Sequence, residues 1–338
     1  MIKRKVHRVT KPGSINRLAF VEEDLPSPAK GEVTIDVKSA GLNFADIFAV
    51  KGLYAATPKD PFIPGLEFAG DILDPGDSSF VKGQKVMGVT RFGAYADHLN
   101  IDHRYISPLP EGWSYAEGAA FQVQVFTAYH ALVSLGSVKK GDNVLIHSAA
   151  GGVGIWANRI AKKLGAFTIG TVGNESKFSL LKKEHYDKYL VRGKDFKASY
   201  LKVAGDIRPN IVLECIGGKV LMDSYKLMDQ MGRLITFGSA HFATPTSGVN
   251  FLPLFLKYIQ RPKFDPMKMT TSNKSVMGFN LIFLFDKAHL YKQYIDEINI
   301  LNLPRSVIGH SYPFEEAREA LKFFQTGATT GKVVLEVS

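Results

Sequence analysis

The segment Ser148-Ala149-Ala150-Gly151-Gly152-Val153-Gly154 stands between a short apolar run and a helical one. That context suits a dinucleotide. Glycines let the backbone approach a diphosphate, and the free N–H groups of a helix start stabilise its charge. Read as G-x-G-x-x-G, the first glycine is replaced by Ala149, while Gly151 and Gly154 are in register. The alternative is a tight strand-to-helix turn with no ligand. An acidic residue holding a ribose 2′-hydroxyl is due ~20 residues on, where the chain reads Thr171-Val172-Gly173-Asn174-Glu175-Ser176-Lys177. No carboxylate lies between Thr171 and Asn174, and Lys177 is available to a 2′-phosphate. Asn174 and Ser176 can add neutral hydrogen bonds. Glu175 argues the other way, unless it only complements the dipole of the next helix.

Metal chemistry is poorly supplied. Cys215 is the only cysteine, which excludes a disulfide within the chain and an all-cysteine zinc site. His98 and His103 are the closest pair of histidines, and their spacing suits no single helix face. Ordinary polar roles are expected for both.

Two kinds of chain must position these groups. The first ~110 residues read as an irregular, mostly β domain. Glu32 to Lys38 alternates polar and apolar residues, and Pro61, Pro64, Gly65, Gly70, Pro75, Gly76, Gly83 and Gly88 break the chain beyond it into short strands and turns. Near Pro110 the character changes. Ser114-Tyr115-Ala116-Glu117 is a capping-box pattern, predicting a helical stretch to about Leu135 that stops at Gly136. Beyond it the pattern predicts strands at 143–147, 167–172, 211–214 and 233–237, with helices at 155–164, 177–184 and 220–231. Such alternation implies βαβ units and a parallel sheet. An amphipathic helix at 314–325 and a final strand at 332–337 are predicted at the end.

Several short segments fit one family in order and spacing: Gly41-Leu42-Asn43-Phe44-Ala45-Asp46, Gly52-Leu53-Tyr54, Pro64 to Gly70, Ala149 to Gly154, Gly278-Phe279-Asn280-Leu281, and Gly331 to Leu335. On them the chain resembles the zinc-free quinone oxidoreductase branch of the medium-chain dehydrogenase/reductases. It is similar to zeta-crystallin-like enzymes and more so to the vesicle amine transport protein 1-like subgroup. The resemblance implies an α/β fold with a GroES-like β-rich catalytic domain over residues 1–123, completed by 296–338. A Rossmann doubly wound parallel-sheet domain would span 124–295, with the active site in the cleft between.

The resemblance further implies NADPH as cofactor and reduction of quinones or α,β-unsaturated carbonyls by hydride transfer. Zinc-dependent relatives use a cysteine near the position of Asn43 and a histidine in a Gly-His-Glu segment; here that segment is Gly65-Leu66-Glu67, so no metal is expected. Without a Lewis acid, hydrogen-bond donors must polarise the carbonyl, and Asn43 and Tyr54 match the family positions beside the cofactor. Asp46 would bond the backbone or orient Tyr54; Tyr54 itself could instead lie over the nicotinamide. Ala150, Gly151, Gly152, Val153 and Gly154 would hold the diphosphate, and Arg192 is a second cation for the 2′-phosphate. Thr127 matches a position near the nicotinamide, or else bonds back to its own helix. Phe237, Gly238 and Ser239 would flank the nicotinamide ribose. Phe279, Asn280 and Lys332 are expected at the nicotinamide half and its phosphate. A homodimer through a Rossmann sheet edge is implied as well.

Forty-two Lys and Arg against thirty-two Asp and Glu give a net charge of +10, which favours anionic partners. No nucleic-acid motif accompanies that charge. With 45% hydrophobic and 22% charged residues, the chain is neither disordered nor fibrous. Its longest apolar stretch, Val276 to Phe285, is about half the length needed to span a bilayer. No apolar segment follows the basic N-terminus, so a cytoplasmic location is expected. The basic run Gln260 to Met269 before that stretch suits an anionic membrane, or simply a solvated loop ahead of a core strand. A cofactor-binding protein acting at a membrane surface or on a partner, with little catalysis, is therefore the competing function class.

Overall fold

The strand predicted over Glu32 to Lys38 extends to Gly41, giving the central strand β1 (Glu32–Gly41) of a seven-stranded sheet. The computed structural model describes residues 2–243 and 246–338. After β1 the chain turns into helix α1 (Phe44–Val50), whose start is closed by Asp46 Oδ2 accepting from Asn43 N at 2.7 Å. It returns as β2 (Glu67–Asp74), antiparallel to β1. Strands Lys85–Val89 and Ile106–Pro108 extend the sheet beyond β2, and His98–Asp102 pairs with β1.

The single helix predicted from Ser114 to Leu135 is three pieces. Tyr115–Ala119 carries the expected capping box; then come α2 (Gln122–Tyr129) and a π-helical turn over His130–Leu135. Phe121 sits at the break, its ring wedged edge-on between Trp113 and Trp156. The break also frees Val123 N to donate to Glu67 Oε2 at 3.1 Å.

Strands β3 (Asn143–Ile146), β4 (Phe167–Val172), β5 (Lys188–Val191), β6 (Ile211–Glu214) and β7 (Arg233–Thr236) belong to a parallel sheet. Helix α3 (Gly152–Lys163) links β3 to β4. After β7 come the exposed helix α4 (Phe251–Ile259) and strand β8 (Ser275–Gly278), completing the order β5-β4-β3-β6-β7-β8. The sequence pattern marks no strand at β5 and no helix at Phe196–Ala204 or Ala288–Ile300, yet all three form, while β8 takes up the start of the apolar stretch from Val276. The helix predicted at 220–231 runs instead over Gly218–Leu227, ended by extended backbone at Met228.

The chain then rejoins the first sheet through β9 (Ile308–Pro313), helix α5 (Ala317–Gln325) and β10 (Lys332–Glu336), with β10 antiparallel to β1. The expected domain limits at 123/124 and 295/296 both fall inside helices, α2 and Ala288–Ile300. Gly331 N donates to Ala150 O at 2.8 Å, tying the C-terminal segment to the β3–α3 turn.

Candidate active site

A cleft of about 1640 Å³ runs between the two domains. On the parallel-sheet side it is lined by Ser148, Ala150, Gly151, Gly152, Val153 and Gly154. Ser148 adopts φ 52°, and the turn closes with Gly151 N donating to Ser148 O at 2.9 Å. A Cβ at Gly154 would lie 2.5 Å from Ser148 O, and one at Gly152 only 1.8 Å from Gln124 Oε1. Backbone packing therefore demands glycine at Gly154, whereas at Gly152 the Gln124 side chain would have to move aside. Ala149 keeps a negative φ, so alanine in place of the motif's first glycine carries no strain.

At the end of β4 the cleft is bordered by Gly173, Lys177 and Arg192. The Arg192 guanidinium lies over Gly173, and its Nη1 donates to Thr171 O and Oγ1 at 3.3 Å. Lys177 Nζ donates to the carbonyls of Gly327 and Thr329, each at 2.6 Å. Burial draws the pKa of both cations down, and the neighbouring Arg192 charge adds to the effect on Lys177. Asn174 and Ser176 are placed differently from expectation. Asn174 Oδ1 caps the next turn by accepting from Ser176 N at 2.8 Å, and neither residue lines the cleft. Glu175 is exposed and also lies off the cleft wall.

Beneath the catalytic-domain wall lies a closed polar cluster. Lys332, 2% exposed, donates to Glu67 Oε1, and also to Asn43 Oδ1 at 3.0 Å. Asn43 Nδ2 donates to the same Glu67 oxygen at 3.0 Å and to Gly41 O at 3.3 Å. Two expectations are corrected here. Lys332 makes no cleft contact, because its ammonium neutralises a fully buried carboxylate. Asn43 does line the cleft, but both of its amide hydrogens already have acceptors.

Asp46 is corrected too: it bonds the Asn43 backbone and accepts from Tyr95 O–H at 2.8 Å, and it orients Tyr95 rather than Tyr54. Its Oδ1 has no partner, and burial pushes its pKa up to about 7 against the hydrogen bonds from Asn43 and Tyr95. Glu214, also buried with an unpartnered Oε2, is pushed up to about 7 as well. A carboxyl whose folded-state pKa is raised favours the fold below its unfolded value, and that advantage is lost as pH climbs through about 7. Thermal stability should fall between about pH 4 and pH 7. Asp46→Asn should flatten part of that slope in melting scans, and an unchanged slope would show that Asp46 is ionised throughout.

The cleft is also lined by Tyr54, Thr127, Phe237, Gly238, Ser239, Phe279 and Asn280. Tyr54 O–H donates to Asn280 Oδ1 at 2.7 Å, and burial pushes its pKa up to about 12. Thr127 Oγ1 donates to Val123 O at 2.6 Å, the helix back-bond. Phe279 packs edge-on against His130 and at a tilt against Phe237. Leu66 lines the cleft where zinc-dependent relatives would place a histidine. Among the described residues no three His, Cys, Asp or Glu side chains converge as a metal-ligand set.

Two cleft residues escape sequence reasoning. Gln124 is buried in α2, and its Oε1 has no partner. Its signal is visible as one of two glutamines inside an otherwise apolar helix. His147 lies under the diphosphate turn, with its ring nitrogens 2.8 Å from Thr171 Oγ1 and Ser224 Oγ. Burial holds its pKa at about 3, so it is a neutral strut.

Comparison with known proteins agrees with this architecture. The profile of the alcohol dehydrogenase GroES-like domain matches residues 29–111, and that of the zinc-binding dehydrogenases matches 152–298. The human synaptic vesicle membrane protein VAT-1 homolog-like is 28% identical over 333 residues, spanning 96% of this chain and 79% of that protein. A mycobacterial protein solved in complex with NADPH superposes with a TM-score of 0.84 at 25% identity, covering 98% of this chain and 99% of that one. The quinone oxidoreductase of Thermus thermophilus, also solved with NADPH, gives a TM-score of 0.78 at 26% identity with the same coverage.

Proposed function

The chain belongs to the medium-chain dehydrogenase/reductase superfamily, and from that premise we propose that it is an NADPH-dependent, zinc-independent reductase of quinones or α,β-unsaturated carbonyls. One observation carries the reading. A single cleft unites a glycine-lined helix start, two half-buried cations beside the end of β4, and the Tyr54–Asn280 pair. The residues fit the cofactor. The α3 N-terminus suits a diphosphate, no carboxylate lines the ribose end, and buried Gln124 Oε1 awaits a donor such as a ribose hydroxyl.

Bound there, NADPH supplies a hydride. With one proton from solvent, a quinone becomes a hydroquinone and an enone its saturated carbonyl. Tyr54 stays protonated at neutral pH, and its one hydrogen, held by Asn280 Oδ1 in the free protein, turns to the oxygen on which charge develops. Asn280 Oδ1 holds that hydroxyl at the cleft wall until an acceptor replaces it, and Asn43, held by Lys332 and Glu67, is a rigid wall. The reading includes a cytoplasmic homodimer joined along β8, which among the described residues has a strand neighbour on one side only.

Following NADPH oxidation against a panel of quinones and enones tests the proposal. Acceptor-dependent turnover is expected, unchanged after dialysis against a strong chelator. Turnover with no member of the panel, or activity lost together with stoichiometric zinc, would defeat it.

Cofactor choice yields a separate expectation. A charge-assisted contact is worth ~1.5–3 kcal/mol, so NADPH should bind ten-fold to a hundred-fold more tightly than NADH. Arg192→Ala should remove more of that preference than Lys177→Ala, because the Lys177 ammonium is shared with two carbonyls. Titration calorimetry that finds NADH the tighter ligand would reverse the assignment.

A further inference from the structure

Helix α4 reads Phe-Leu-Pro-Leu-Phe-Leu-Lys-Tyr-Ile, yet no residue in it is buried. Phe251 is 74% exposed, Phe255 59% and Tyr258 54%. These three fall at i, i+4 and i+7, one stripe of the helix, and all three line the cleft. Leu252 and Leu254 line it too, whereas Leu256 and Ile259, similarly exposed, do not.

The stripe is held in place from both domains. Just before α4, Ser247 O accepts from Ile15 N at 3.0 Å and Thr246 O from Lys51 Nζ at 2.8 Å. From within it, Lys257 Nζ donates to His241 O at 2.6 Å. Across the same cleft stand Phe44 and Phe48 on α1 and Phe324 on α5.

We propose that the substrate carries its quinone or enone group on a long apolar tail of acyl or prenyl type, which lies along the Phe251–Phe255–Tyr258 stripe. This deepens the reading of the site given above and rests on it. A tail is the occupant because the stripe is continuous with the cleft lining. A second copy of the chain or a membrane would cover Leu256 and Ile259 equally.

Alkyl-benzoquinones with side chains from methyl to dodecyl, reduced by the NADPH-loaded protein, provide the test. The kcat/KM ratio to the methyl homologue should rise about two- to four-fold per methylene over the lengths that reach α4, then level off. Phe251→Ser combined with Phe255→Ser should flatten that rise, whereas Leu256→Ser combined with Ile259→Ser should keep it. A flat series in the wild type, a rise that survives the first pair, or one lost in the second pair overturns the proposal. Failure to reduce any homologue would instead defeat the reductase reading. Equilibrium dialysis of the same quinones would then show whether retention depends on chain length and on the stripe, deciding the tail site separately.

Discussion

Lys332→Met should destabilise the protein by about 3–5 kcal/mol, the usual cost of leaving one member of a buried ion pair without its partner. Lys332 is 2% exposed and Glu67 is 0%. With the ammonium gone, Glu67 would keep only Asn43 Nδ2 and the Val123 N–H. The space around the pair is closed as well: a Cβ at Gly41 would lie 2.7 Å from Lys332 Cε and 2.0 Å from Ala119 O. Neither water nor a shifted side chain can replace the lost charge there. Lys332→Met combined with Glu67→Leu should recover most of the loss, because an apolar pair of similar volume removes the desolvation penalty on both ions. Urea unfolding with an unchanged slope is the measurement. A single variant as stable as the wild type would show that the pair is open to solvent. It would also restore Lys332 as a phosphate ligand, the role its sequence context suggests.

That contrast marks where the sequence stops being legible. The βα turn at Ser148 to Gly154 can be read locally, because strand, glycines and helix are contiguous and each constrains the next. Strands β3, β4, β6 and β7 are short apolar runs and announce themselves in the same way. The Lys332 pair does not, since Glu67 lies 265 positions away and a lysine beginning an apolar run looks like a solvated strand end. The helix Phe196–Ala204 buries only Phe196, Tyr200 and Ala204, one residue per turn, which is too narrow a stripe to stand out among its lysines. At Asn174 the residue type is legible and its direction is not. Asn174 turns to cap Glu175–Lys177, a local hydrogen bond that competes with any ligand.

Tyr54→Phe should lower turnover with an enone by at most about 10²-fold, the typical loss of a donor to a developing oxyanion, since the Tyr54 hydrogen must first leave Asn280 Oδ1. NADPH affinity should be nearly unchanged, because the interaction is made only as charge appears. Quinones are intrinsically easier to reduce and should lose less. Asn43→Ala is the instructive contrast. Its amide bridges Lys332 and Glu67, so its removal should reduce stability at least as much as turnover, whereas Tyr54→Phe should leave the urea midpoint almost unmoved. The pH profile separates a donor from a spacer. With its pKa pushed up to about 12, Tyr54 stays protonated across the neutral and mildly alkaline range, so it contributes no falling limb there. If wild-type turnover has an alkaline limb near neutrality that vanishes in Tyr54→Phe, the hydroxyl ionises far more easily than its burial implies. If turnover with an enone is unchanged in a folded Tyr54→Phe variant, the Tyr54–Asn280 pair shapes the cleft without taking part in proton or charge transfer.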